Sequence, residues 1–130
     1  MNKRHNDIDA SGVKEIFSVL KETGIRVVVH VIFGFPTETV REAKETLKFL
    51  VESRDLYHGC MVQPFSLEDG TSLFDNPETF KITRINTEDK NSGQRLGYSY
   101  EISQGVTQRE AERFTYEEAI SALKKMGISV

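Results

Sequence analysis

Apolar positions recur at Val13, Ile16, Phe17 and Leu20, an i, i+3, i+4, i+7 stripe that predicts a helix over about residues 11–23. Asp9 or Ser11 can cap its start, and Gly24 suits the left-handed position just past its end. The pattern then changes period. From about residue 25 to 33, Ile25, Val27, Val28, Val29, Val31, Ile32 and Phe33 are apolar on both parities. That predicts a strand covered on both faces, as in a parallel sheet flanked by helices. A second helix begins near Val40 behind a Thr39/Glu42 capping box, with Ala43, Thr46, Leu47, Leu50 and Val51 as its buried face. A short strand follows from about Cys60 to Phe65. This alternation predicts a right-handed βαβ crossover and parallel strands.

Beyond Leu67 the chain turns polar and rich in turn formers up to Gln104, with Glu-Asp-Gly-Thr-Ser at 68–72, Asp-Asn-Pro at 75–77 and Asn-Ser-Gly at 91–93. Two strand-like pieces interrupt it, Phe80–Ile85 and Tyr98–Ile102, and the two tyrosines suit a short hairpin. A last helix is predicted over about 107–125, capped by Thr107 with Glu110, burying Ala111, Phe114, Ala119, Ile120 and Leu123, and stopped at Gly127. Its many charges read as a solvated face. Two parallel strands and two helices do not close a core, and exposed strand edges invite pairing. The first half therefore reads as a slice of a larger sheet or barrel.

Composition narrows the function classes. With 130 residues, 38% hydrophobic and 28% charged, the chain has room for one modest core. A net charge of −3 argues against a general nucleic-acid binder. The single cysteine, Cys60, excludes an intrachain disulfide and cannot alone hold an iron–sulfur cluster or a structural zinc. No apolar run reaches the roughly 20 residues of a membrane span, and the polar start lacks a signal-peptide core, so the expectation is a soluble, cytoplasmic protein with no membrane partner. His5, His30 and His58 lack ligand spacing; His30 is expected in the core, and Cys60 as a small buried residue. Neither metal ligands nor catalytic residues are assigned.

The turn after the first strand is the richest stretch: Gly34-Phe35-Pro36-Thr37-Glu38-Thr39. In parallel α/β folds, ligands bind beyond the carboxyl ends of the strands. Gly34 can let the backbone approach a flat ligand, Pro36 stiffens the turn, and Glu38 can accept hydrogen bonds from a ligand or from the loop. The same residues also suit a plain strand-to-helix turn with Glu38 at a positive helix start.

Taken in order, Gly24-Ile25, then Gly34-Phe35-Pro36-Thr37-Glu38-Thr39, then Pro64-Phe65 with Gly70-Thr71 resemble the second half of a radical S-adenosylmethionine (SAM) enzyme. The opening Met1-Asn2-Lys3-Arg4 resembles that family's Met-x-Lys-Gly, and His30 stands where the family's fifth strand begins with glycine. The resemblance covers about residues 1–75. It implies an α/β fold in which residues 1–75 are a slice of a partial (β/α) barrel with parallel strands, and residues 76–130 an α+β extension. It further implies that Ile32 and Phe35 contact adenine, Gly34 allows backbone approach, Glu38 steadies the loop, and Gln63 and Phe65 lie nearer the substrate or the SAM sugar.

The family's Cys-x3-Cys-x2-Cys motif, which holds a [4Fe–4S] cluster, is not in this sequence. The resemblance therefore implies the C-terminal portion of an iron–sulfur oxidoreductase that is not catalytic alone. SAM and the cluster belong to the full-length parent, with neither tightly bound to this chain. Its partner is then a cluster-binding N-terminal half, from the same gene or a separate chain. The rival reading is a truncated, non-catalytic module that self-associates as a homodimer or pairs with a partner chain through its sheet edge. A third is an unrelated α/β enzyme binding phosphate at the Val40 helix start.

Overall fold

The computed structural model describes residues 9–88 and 97–130. His5, the Met1-to-Arg4 segment and the Asn91-Ser92-Gly93 turn lie outside the described residues.

Helix α1 (Ala10–Glu22) starts at Asp9, whose carboxylate accepts from the Gly12 N–H at 2.9 Å. It ends in a Schellman motif. Gly24, at φ +76°, donates to the Lys21 carbonyl, and Ile25 donates to the Leu20 carbonyl. Ile25 is thus spent on ending the helix and does not open the strand as expected. Strand β1 is Val28–Phe33 and pairs in parallel with β2, Gly59–Pro64, in the register His30 to Met61 and Ile32 to Gln63. Between them runs α2 (Val40–Glu52), started by the expected capping box.

The strand pair is covered on one face only, which corrects the two-faced expectation. Val27, Val31 and Phe33 are buried with Cys60 under the helices, while Val28 (53% exposed), Ile32 (44%) and Met61 (60%) face out. His30 shares that open parity and is exposed, not a core histidine. Its polarity was the one sign in an apolar run that this parity is uncovered. Among the described residues the sheet has two strands, and a two-stranded sheet has only as much cover as its neighbours supply.

That cover comes from both ends of the chain. The first core gathers Val31, Phe33, Ala43, Leu50, Tyr57, Ala119, Leu123 and Ile128, with Phe17 and Leu20 of α1 alongside. The Tyr57 hydroxyl donates to the Leu50 carbonyl at 2.6 Å, and burial pushes its pKa up to about 12. A second, smaller core joins Leu67, Ile82, Tyr98 and Tyr100 beneath an antiparallel hairpin of β3 (Ile82–Asn86) and β4 (Ser99–Ile102). A one-turn helix α3 (Ser72–Asp75) and a 3₁₀ turn, Pro77–Phe80, lead into it. Phe80 falls in that turn rather than in the strand, because Pro77 starts the turn and Lys81 ends it at φ +59°.

The last helix is one continuous run with a changed pitch. Helix α4 (Gln108–Arg113) passes through a π-helical stretch, Phe114–Ala119, into α5 (Ile120–Lys125). Within the π stretch the buried Thr115 hydroxyl donates to the Ala111 carbonyl at 2.7 Å, competing for a group the helix would otherwise use. A second Schellman motif at Gly127 turns Ile128 into the core. The observed fold is thus mixed α/β: a parallel strand pair with helices, plus a hairpin. Among the described residues no helix is long and apolar enough to cross a membrane.

One-sided cover has a measurable consequence. Leu123→Ala is expected to cost about 2–5 kcal/mol in urea unfolding, the usual cost for a fully buried leucine. Met61→Gln on the open face should stay within about 0.5 kcal/mol. Equal costs would mean that the outer face is covered too.

Candidate functional site

The strand-end turn is a tight, strained loop. The Glu38 N–H donates to the Phe35 carbonyl at 2.8 Å, closing a four-residue turn with Pro36 second and Thr37 third. Thr37 has φ +82°, the value a type II turn reserves for glycine at that place. A β-branched residue held there costs on the order of 1–3 kcal/mol and persists only where its surroundings fix it.

The surroundings do fix it. Glu38 reaches back so that its carboxylate accepts from the Gly34 N–H at 3.0 Å. The Glu38 carbonyl accepts from the Val106 N–H at 2.8 Å. Gly34, at φ +80°, lies so close to α4 that a Cβ on it would stand 2.2 Å from the Ala111 Cβ. The close approach that Gly34 permits is therefore made, on that side, by the chain's own helix. Pro36 is fully buried.

Burial raises the Glu38 carboxyl above its ordinary 4.5, against the lowering pull of the Gly34 hydrogen bond. Glu42 moves the other way, lowered first by the Thr39 N–H it accepts. That capping bond, and the reciprocal one from Glu42 N–H to the Thr39 hydroxyl, occupy two of the N–H groups at the start of α2.

The six anticipated site residues divide into three places. Ile32 and Gln63 are cross-strand partners on the open face, side by side and exposed at the strand ends. Phe35 and Phe65 form an edge-to-face pair at 5.4 Å, continued by Phe80 and Tyr100 beside the second core. Gly34 and Glu38 line a cavity of about 240 Å³ on the helix-covered side, with Lys44 and Arg113 at its rim. His58 has a structural job, its Nδ1 accepting from the Val27 N–H at 3.0 Å. Sequence reasoning missed Gly105, Val106 and Ala111. Nothing in their spacing links them to residues some 70 positions earlier, and only the glycine ahead of the Thr107 cap hinted at a tight contact.

A curated relative, the ribosomal protein uS12 methylthiotransferase RimO of Chlorobium phaeobacteroides (strain BS1), is 30% identical over 118 residues, 89% of this chain. The chain is a relative of a radical SAM methylthiotransferase. That bears out the resemblance carried by the Gly-Phe-Pro turn. The chain spans about a quarter of the length of the curated relative it matches (25%). No family model and no solved structure matches it.

The donor set can be tested against a radical SAM cluster. Cys60 is buried on the helix-covered face, where burial raises its thiol, and among the described residues no group of three metal-binding side chains occurs. The described residues do not fit a [4Fe–4S] cluster. At the open strand ends Ile32 offers apolar surface and Gln63 a carboxamide.

The Glu38 shift sets a pH dependence. Its folded pKa is raised, so its stability contribution is full below 4.5 and is lost as pH rises through the raised value. Glu38→Gln keeps the acceptor and removes the titration. In urea unfolding, the stability of wild type relative to Glu38→Gln should fall as pH climbs above 4.5. Parallel curves, or a rise, would contradict the buried carboxylate.

Proposed function

We propose that the chain is the C-terminal portion of a radical SAM iron–sulfur enzyme. In this reading residues 1–75 are a slice of a partial (β/α) barrel, and residues 76–130 close its helical side. The slice forms the adenine side of the SAM site and part of the substrate wall. The observation that carries the reading is the 30% match over 118 residues, which spans the strand-end turn. The unpartnered face at the strand ends supports it.

Each residue has a task that its own chemistry can perform. Ile32 gives the base an apolar surface and excludes water from one side. Gln63, beside it, offers one donor pair and one acceptor to a sugar or a substrate. Glu38 holds the Gly34 N–H and keeps the turn in shape. Phe35 and Phe65 back the turn as a rigid aromatic wall. SAM bound to a [4Fe–4S] cluster would supply the radical chemistry of the parent. The cluster ligands come from the N-terminal half of that parent, in the same polypeptide or on a separate chain. The relative is named a methylthiotransferase, so we take group transfer, rather than simple oxidation or reduction, as the parent's reaction class.

The test is an amide-resolved NMR titration of the chain with S-adenosylhomocysteine, with inorganic phosphate as a control. Weak, fast-exchanging shifts are expected at Ile32, Gly34 and Gln63. Shifts confined to Lys44 and its neighbours, or at Val40 with phosphate alone, would favour the other sites. A spectrum that stays unchanged at millimolar nucleoside would contradict the adenine-side role.

A further inference from the structure

Gly34 and Gly105 lie far apart in sequence, and each stands where a side chain would collide with the other's segment. A Cβ on Gly34 would stand 2.2 Å from the Ala111 Cβ. A Cβ on Gly105, at φ +91°, would stand 2.5 Å from the Glu38 carbonyl oxygen and 2.9 Å from the Thr37 Cα. The turn thus presses its glycine onto α4, and the segment leading into α4 presses its glycine onto the turn. Between these contacts the Val106 N–H donates to the Glu38 carbonyl at 2.8 Å. The residue enclosed is Thr37, the one with a backbone conformation it would not adopt unaided.

We propose that the segment from Gly105 to Ala111 is a positioning element for the strand-end turn. The C-terminal segment, and not the strand alone, then fixes where the Gly34 backbone and the Glu38 carboxylate stand. The importance of this for cofactor binding rests on the proposed role of the turn in the SAM site. Strand β1 delivers the chain to the turn, but Phe35, Pro36 and Thr37 could leave it in several directions. The positive φ at Thr37 selects one of them, and the Gly105 backbone packed against Thr37 and Glu38 holds that choice. Segment 105–111 reaches the turn directly, through the Val106 N–H bond to the Glu38 carbonyl and the Ala111 contact with Gly34. It would tie cofactor affinity to how the last helix is seated.

The test uses the full chain and three single variants, read by amide NMR and hydrogen exchange. Ala111→Gly removes the methyl that meets Gly34. Ala119→Gly removes an equally buried methyl further along the same helical run. Gly105→Ala pushes directly on the Thr37–Glu38 backbone. The expected result is that Ala111→Gly shifts the Gly34 and Glu38 amides and speeds exchange at Gly34, leaving Val62 in place. Ala119→Gly should spare both turn amides. The proposal is overturned if a folded Ala111→Gly keeps the wild-type Gly34 and Glu38 resonances, or if Ala119→Gly moves them as much. Should Gly105→Ala not fold, Ala111→Gly decides alone. In a parallel S-adenosylhomocysteine titration, Ala111→Gly should weaken binding several-fold, and unchanged affinity would overturn the link to the cofactor. If wild type binds no nucleoside while the turn amides still shift in Ala111→Gly alone, the SAM reading fails and the clasp stands.

Discussion

A two-stranded parallel sheet cannot hold itself together, and everything else here depends on what covers it. The C-terminal helical run supplies a large part of that cover, together with α1 and α2. Phe114 meets Phe33 edge to face at 5.1 Å, and Ala119 and Leu123 are fully buried against the same face. Where the helix passes the end of β1, Ala111 comes so near that only glycine fits at position 34. One packing contact thus sets which sheet face is closed, how the strand ends, and how the turn beyond it is held. It also leaves the other face, with Val28, His30, Ile32, Met61 and Gln63, without cover among the described residues.

The parts legible in the sequence are those decided locally. Capping boxes at Thr39/Glu42 and Thr107/Glu110, the Asp9 cap and the glycine stops at 24 and 127 all appear, because each rests on a few adjacent residues. Long-range choices were less legible. The run from Val27 to Phe33 is apolar on both parities, so composition alone could not say that one parity faces out. The π-helical stretch at Phe114–Ala119 depends on a threonine hydroxyl finding a carbonyl, which helix periodicity does not report. At the site, Ile32 and Gln63 meet because the strands pair in register, and Phe35 with Phe65 because both strand ends turn toward the hairpin. The Gly105 clasp lies just past the polar, turn-rich stretch that ends at Gln104, where no local pattern ties it to the turn.

The functional account joins two observations of different kinds. Similarity to a radical SAM methylthiotransferase covers most of this chain and about a quarter of that enzyme. The structure contains a strand-end turn held from behind by its own C-terminal helix, beside an uncovered face with apolar and amide side chains. In the proposed reading they are one wall of a site rather than a whole one. The buried, solitary Cys60 points the same way, since it sits on the helix-covered face, away from Ile32 and Gln63.

The central claim is that the rest of a radical SAM enzyme completes this wall. The most direct measurement is to isolate the native species from source cells with an antibody raised against this chain, then determine its mass and sequence it by mass spectrometry. The account predicts either a polypeptide well above 14.8 kDa or a stable complex. In both cases the added sequence carries a Cys-x3-Cys-x2-Cys motif. A 14.8-kDa species, alone or paired only with its own copy, would contradict it.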